Sequence, residues 1–231
     1  MPNKADSFKY NIYLYDAQFL SILSGIVVAS RLMIKEVTEI ANHEKKIHLY
    51  LCSEYLQDET FTEKHKLQTF EFHPEHLVLD KGKEIGRIDI IVKTSESYGK
   101  SKSYYAIECK RLDGDYHDRR VSVNPPYKTK SLAVEYIKEG IMRFVINKYP
   151  TPFGTNGMIG FVVKPTNIDE GVDDINNLIS SRFPQSNTTS SLSKISVIQG
   201  FNFVYISTHT DNQNDSIDLY HLMLDFSSIV V

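Results

Sequence analysis

Arg87-Ile88-Asp89-Ile90-Ile91-Val92, followed after a polar interval by Tyr105-Ala106-Ile107-Glu108-Cys109-Lys110-Arg111-Leu112, decides the fold of this chain. Both are short apolar runs, and the spacing predicts two strands joined across the polar loop 94–103. Alternate residues of a strand share a face, so Glu108 and Lys110 point one way and Cys109 the other. Pairing the two runs brings Asp89 to the same end of a sheet.

Two neighbouring carboxylates repel each other, and a divalent cation between them relieves part of that cost. Mg2+ suits an oxygen-only set, with Mn2+ able to substitute. A cation held by Asp89 and Glu108 would polarise a scissile phosphate, while Lys110 orients water or stabilises the transition state. The predicted chemistry is hydrolysis of a phosphodiester. Taken alone, Glu108 and Lys110 also fit an ion pair on an exposed strand. The apolar neighbours Ile88, Ile90, Ile91, Tyr105, Ala106 and Ile107 place both strands centrally instead, where an unoccupied ionisable cluster is costly.

The order Gly86-Arg87-Ile88-Asp89, a hairpin-length gap, then Ile107-Glu108-Cys109-Lys110-Arg111-Leu112 resembles the PD-(D/E)xK nuclease superfamily. Ile88 stands where that family's motif has proline. Downstream, Tyr136-Ile137-Lys138-Glu139-Gly140-Ile141-Met142-Arg143-Phe144 and Gly157-Met158-Ile159-Gly160-Phe161-Val162 look like the helix and strand that follow the active-site strands in bacterial defence-type and restriction-type members. The resemblance covers residues 40–165 and implies a restriction-endonuclease-like α/β fold: a mixed sheet flanked by helices, here with a C-terminal β-hairpin. It further implies a Mg2+-dependent nuclease acting on DNA in bacterial restriction or anti-phage defence. Metal ligands by this analogy are Asp89, Glu108 and the backbone carbonyl of Cys109, with Lys110 catalytic. An upstream helix often adds an acid. Glu44, on the stripe of Ile40, Ile47 and Leu51, is preferred for that place, and Glu54, ten residues on, is the alternative.

Composition bounds the remainder. The 231 residues, 41% hydrophobic, are compatible with one domain over 1–231. Lys and Arg number 26 against 29 Asp and Glu, so overall charge points to no polyanionic partner. Locally, Lys110, Arg111, Arg119, Arg120, Lys128 and Lys130 outnumber Asp113, Asp115 and Asp118. An ordinary solvated loop explains such a run, but its position after the Glu108 strand favours phosphate contacts. Tyr116, His117 and Tyr127 offer faces for a base. Arg143, with Tyr136 and Gly140 on one side of the helix 129–148, is a further candidate phosphate contact, although core packing explains the glycine equally well.

Cys52 and Cys109 read as buried small side chains of a reducing, cytoplasmic compartment, and neither pairs with a close histidine at zinc spacing. The histidines are scattered, with His73 and His76 flanking Pro74-Glu75 in a turn. The apolar stretch 19–34 is broken by Ser21, Ser24, Gly25, Ser30 and Arg31 and reads as a buried helix capped by Asp16, with no membrane partner; a homodimer could use its second apolar face. Along the chain we expect an edge strand over 8–15 and helices over 17–41 and 43–57. Extended segments follow at 70–72 and 77–79, with a turn at 81–83. Beyond the helix 129–148 come a strand over 157–163, a short helix over 175–181, a loop over 183–194, and a hairpin of 201–207 with 217–226. Two other readings of the same residues stay open: a non-cleaving module that binds nucleic acid or a partner protein of a defence system, and an RNA-cutting toxin.

Overall fold

The computed structural model describes residues 4–94, 104–114, 131–149 and 154–231, with side chains from residue 16 onward. In chain order come α1 (Lys4–Glu36), α2 (Glu44–Leu51) prolonged by a π-helical turn (Cys52–Leu56), and α3 (Glu59–Lys64). β1 (Phe70–Asp80), β2 (Lys83–Thr94) and β3 (Tyr105–Leu112) follow. A composite helix then runs as α4 (Leu132–Tyr136), a π-helical turn (Ile137–Ile141) and α5 (Met142–Val145). The chain ends with β4 (Thr155–Val162), α6 (Ile168–Arg182), β5 (Thr188–Ile195), β6 (Val204–Thr210) and β7 (Ser216–Asp225).

All seven strands join one mixed sheet in the order β1-β2-β3-β4-β7-β6-β5. β1, β2 and β3 form an antiparallel meander, whereas β3, β4 and β7 run parallel to one another. A parallel neighbour cannot be reached by a tight turn, so the composite helix α4–α5 carries the chain from β3 to β4. The α/β sheet flanked by helices and closed by a C-terminal hairpin is therefore the architecture expected from the sequence.

β3 shows how the layers are specified. Tyr105, Ile107 and Cys109 enter the core under α1, α2 and α3, while Ala106 and Leu112 enter the core under α4, α5 and α6. Glu108 and Lys110 share the second face, between these two apolar positions. β4 is buried along its whole length, as a strand covered on both faces must be. At the start of the sheet, the two-residue link Lys81-Gly82 has φ of +47° and +80°. Positive φ at both positions is the signature of the turn whose twist matches antiparallel strands, and glycine adopts it without strain.

In α1, Phe19, Ile22, Leu23, Ile26, Val27, Ala29 and Met33 recur every three or four residues and are buried. Full burial of each large apolar side chain contributes about 1.5–3 kcal/mol, so packing rather than propensity holds this helix. Its segment Asp16–Glu36 passes the length and hydropathy test for a membrane span, but half of that window is buried within the protein. It is a core helix by its contacts, and Ile26→Ala should cost about 2–5 kcal/mol.

Several expected boundaries shift. Residues 8–15 are helical, not an edge strand, because a short alternation is ambiguous and elongating an established helix is cheap. Asp16 is consequently internal to α1, where it accepts a hydrogen bond from Thr155 Oγ1 at 2.7 Å, and the helix ends at Glu36. Pro74-Glu75 lies within β1 rather than in a turn. α6 begins at Ile168, its N-terminus capped by the Asn167 side chain. The expected loop 183–194 contains an edge strand, β5, in which Leu192 is the buried position. Polar Ser and Thr suit an edge exposed to water, a pattern that hides the strand. Pro150 and most of the basic loop after β3 lie outside the described residues.

A buried polar chain crosses the hairpin half of the sheet. Tyr136 Oη meets His221 Nδ1 at 2.7 Å, His221 Nε2 meets Ser207 Oγ at 2.8 Å, and the same hydroxyl meets His209 Nε2 at 2.8 Å. His209 Nδ1 donates to the carbonyl of Ser186 at 3.0 Å. That carbonyl, which can only accept, sets the direction of every proton: His209 accepts from Ser207, which accepts from His221, which accepts from Tyr136.

Candidate active site

The site begins where two strands part. β2 and β3 pair at Val92↔Tyr105, Ile91↔Ala106 and Ile90↔Ile107, and the register stops there. Beyond that point β3 keeps only its parallel neighbour β4 on the other edge. A buried N–H on the open edge must find another acceptor. Cys109 N donates to Asp89 Oδ2 at 2.7 Å, so the carboxylate of β2 replaces a missing carbonyl and is locked in place. On the far side of β2, Pro74↔Ile90 and His76↔Ile88 pair, and between them Glu75 adopts φ +57°, an uncommon conformation for a non-glycine residue.

Lys110 is 7% exposed, and its ammonium sits among four oxygens. Cys109 O is 2.6 Å away, Glu44 Oε1 3.0 Å, and Asp89 Oδ2 and Glu108 Oε2 are each 3.5 Å away. Three of these belong to the residues expected to ligate a metal, and the fourth to the preferred auxiliary acid. Glu44 reaches the cluster because it is the first residue of α2, at the end of the helix nearest β3. Glu54, the alternative, is exposed in the following π turn and accepts from Ser53 Oγ.

Glu108 is fully buried. Its Oε2 accepts from Arg143 Nη1 at 3.0 Å, and its Oε1 has no hydrogen-bond partner among the described residues. Burial, reinforced by repulsion from Asp89 and opposed by Lys110 and Arg143, pushes its carboxyl up to about 8. Burial would lower the Lys110 ammonium, yet Asp89, Glu108 and Glu44 outweigh it and hold the ammonium above its ordinary value. Arg143 is likewise held up by Glu108 against burial. Among the described residues, three carboxylates (Glu44, Asp89, Glu108) surround the Lys110 ammonium, and Arg143, which also pairs with the exposed Glu139 at 3.1 Å, adds a second cation through Glu108. Acids outnumber cations in the cluster.

The structure thus brings Glu44, Asp89, Glu108, Lys110 and the Cys109 carbonyl to one spot, with Arg143 added through Glu108 rather than standing free for a phosphate. Arg143 Nη1 also donates to Tyr149 Oη at 2.9 Å, and that hydroxyl donates to Arg87 O, so Tyr149 fastens α5 to β2 beside the site. Gly140 is explained by packing: a Cβ there would lie 2.3 Å from Met158 Cε. Arg111 donates to Asn42 O and Oδ1, which ties β3 to the segment entering α2. Arg119, Arg120, Lys128 and Lys130, with Tyr116, His117 and Tyr127, lie outside the described residues.

Sequence reasoning missed His48, Glu75 and Tyr149. His48 follows Glu44 by one helical turn, which places both on one face, and that signal was readable. Glu75 needed the β1–β2 register, and Tyr149 needed the packing of α5. Glu75 Oε2 accepts from Lys45 at 2.6 Å and Arg87 at 2.8 Å, while its Oε1 faces His48 Nε2 at 3.2 Å. Burial would raise the Glu75 carboxyl, but these hydrogen bonds prevail and hold it down to about 2.

No protein-family model matches the chain, and neither a curated protein nor a solved structure is significantly similar to it.

The residues present fit a divalent cation. The ammonium of Lys110 already occupies an oxygen set of the kind that Mg2+ and Mn2+ take, so the set is preformed for positive charge. Glu108 Oε1 is a buried acceptor that no donor among the described residues reaches. Asp89, Glu108 and the Cys109 carbonyl would hold the ion, and Lys110 would have to swing out of their centre.

Proposed function

We propose that this chain is a divalent-metal-dependent nuclease of the PD-(D/E)xK type, hydrolysing phosphodiester bonds of DNA in the cytoplasm of a bacterium, in restriction or anti-phage defence. One observation carries the reading: a buried ammonium ringed by Glu44, Asp89, Glu108 and the Cys109 carbonyl, beside a carboxylate oxygen without a partner among the described residues. A purely structural ion pair gains nothing from an orphaned acceptor, which costs about 1–3 kcal/mol. A site awaiting a cation and a phosphate does.

A cation held there would supply Lewis-acid polarisation of the phosphate. Asp89, pinned by Cys109 N, and Glu108, pinned by Arg143, give that charge a rigid seat. Lys110, once released from the oxygen set, would stabilise negative charge on the phosphate and orient the attacking water. In hydrolysis a bond forms between water oxygen and phosphorus, the bond from phosphorus to the leaving ester oxygen breaks, and that oxygen takes a proton from solvent. Glu44, partly exposed, would accept the proton that the water gives up and return it to solvent.

The test incubates purified chain with labelled duplex DNA, single-stranded DNA and RNA in Mg2+, Mn2+ or chelator. Cleavage of duplex DNA with metal and none with chelator is the expected result. RNA cleavage alone would reassign the substrate, and binding that survives chelation without any cleavage would leave a gripping module.

A further inference from the structure

Lys45 follows Glu44 at the start of α2, and Arg87 stands two residues before Asp89 in β2, so each flanks a residue of the candidate active site. Both side chains end on the same atom. Lys45 Nζ lies 2.6 Å and Arg87 Nη1 2.8 Å from Glu75 Oε2, and a carboxylate oxygen of Glu75 lies within 4.8 Å of one of Asp89. Glu84 gives Arg87 a weaker second contact at 3.6 Å. The Lys45 and Arg87 side chains are 48% and 44% exposed against 19% for Glu75, so the cations meet water and the carboxylate lies beneath them.

Exposed ion pairs contribute little to stability, so scaffolding is a weak reason to aim two cations at one oxygen. Exchanging that oxygen for another anion is correspondingly cheap. β1 meanwhile bends to put it there: Glu75 has φ +57°, a conformation rare outside glycine and concentrated at ligand clamps and switch regions. His48 holds the carboxylate from the other side. Its Nε2 is 3.2 Å from Oε1, and because a carboxylate oxygen only accepts, that nitrogen carries the proton. Glu75 therefore keeps a donor when Oε2 is vacated.

A lysine and an arginine converging on one anionic oxygen is also how a backbone phosphate is held. We propose that Lys45 and Arg87 bind a nucleic-acid phosphate next to the one under attack, and that Glu75 fills their cradle as an internal substitute until substrate displaces it. The inference rests on the nuclease reading for the position of the attacked phosphate. Successive charges of one strand are about 3.4 Å apart along a duplex axis, so a strand lying over Asp89 carries its next phosphate toward the edge where the two cations stand. The consequence is a pair of opposite signs. Removing either cation weakens binding, whereas removing the charge of Glu75 strengthens it. A purely structural network gives no such opposition, since loss of any member leaves affinity unchanged or lowers it.

The test measures fluorescence anisotropy of labelled duplex DNA, single-stranded DNA and RNA with the full chain, in chelator and in Ca2+, over a range of salt, with thermal melting of each variant as the check on folding. Lys45→Ala and Arg87→Ala should each weaken binding and reduce the slope of log affinity against log salt by about one. Glu75→Gln should tighten binding about two- to fivefold, the scale of one exposed ion pair, and the gain should vanish when it is combined with Lys45→Ala and Arg87→Ala. A folded Glu75→Gln that binds no tighter, a gain that survives loss of both cations, or a wild-type chain that binds none of the three nucleic acids would overturn the proposal. Should Glu75→Gln not fold, unchanged salt slopes in Lys45→Ala and Arg87→Ala, both at exposed positions, overturn it alone. Opposed effects in a chain that cleaves nothing with Mg2+ or Mn2+ would keep the cradle and sink the nuclease reading. Cleavage by a chain whose affinity ignores all three residues would do the reverse.

Discussion

Toward the C-terminal hairpin, Tyr136, His221, Ser207 and His209 form a chain of hydrogen bonds as deeply buried as Glu108 and Lys110, yet the two clusters are built on different principles. The hairpin chain is neutral, and each member finds a partner, ending on the Ser186 carbonyl. The Asp89–Glu108–Lys110 cluster is charged, holds more acids than cations, and leaves Glu108 Oε1 unmatched among the described residues. A saturated buried network rigidifies a core, whereas an unsaturated one marks a place where a ligand completes it. Burial alone therefore does not set the two clusters apart; their charge and the unmatched Glu108 oxygen do.

Activity should separate the two regions most widely. Lys110→Ala or Glu108→Ala is expected to lower the initial rate of metal-dependent cleavage by at least about a hundredfold, the scale seen when one preorganised electrostatic group is removed. Ser207→Ala, in the other cluster, should leave that rate within about twofold once folding is verified by circular dichroism. Equal losses in both would break the distinction.

Stability in chelator gives a second, smaller contrast. Lys110→Met strips the central cation from Glu44, Asp89 and Glu108 and should cost about 3–5 kcal/mol, as breaking a buried pair does. Adding Mn2+ should recover much of it. Ser207→Ala should cost about 1–3 kcal/mol by leaving buried ring nitrogens unmatched, with no recovery on adding metal. Urea titrations with and without Mn2+ read both numbers.

The pH dependences run in opposite directions, with the smallest effects. Burial holds the Glu108 carboxyl near 8, above its ordinary 4.5, so the folded metal-free protein binds more protons than the unfolded chain between those values. Its contribution to stability is full below about 4.5 and is lost as pH rises through 8. Burial pushes His221 and His209 below 6.5, so there the unfolded chain binds more protons. Their contribution is lost as pH falls below 6.5. Glu108→Gln should flatten the alkaline limb, and His221→Gln the acid limb, of denaturation midpoints measured from pH 5 to 9. A single shared limb abolished by either variant would contradict the account.

Much of this was readable before any coordinates, and the rest failed for physical reasons. The hairpin of β2 and β3, and the convergence of Asp89, Glu108 and Lys110, follow from strand alternation and one loop. Glu44 was reachable because an apolar stripe fixes a helix face. What sequence could not show is that the β2–β3 pairing stops at Ile90, so that the Asp89 carboxylate takes the Cys109 N–H in place of a strand carbonyl. Nor could it show that the Lys110 ammonium sits among the oxygens of Glu44, Asp89, Glu108 and Cys109. The hairpin polar chain was invisible because its members lie far apart in sequence and read as isolated polar residues inside strands. β5 was lost because Ser and Thr on an edge strand look like a loop.

The most direct measurement is anomalous diffraction from crystals of the full chain soaked in Mn2+. The account predicts a peak bounded by Asp89, Glu108 and the Cys109 carbonyl, with the Lys110 ammonium displaced from its present contacts. Lys110 unmoved among those oxygens, with no peak at saturating Mn2+, would contradict it.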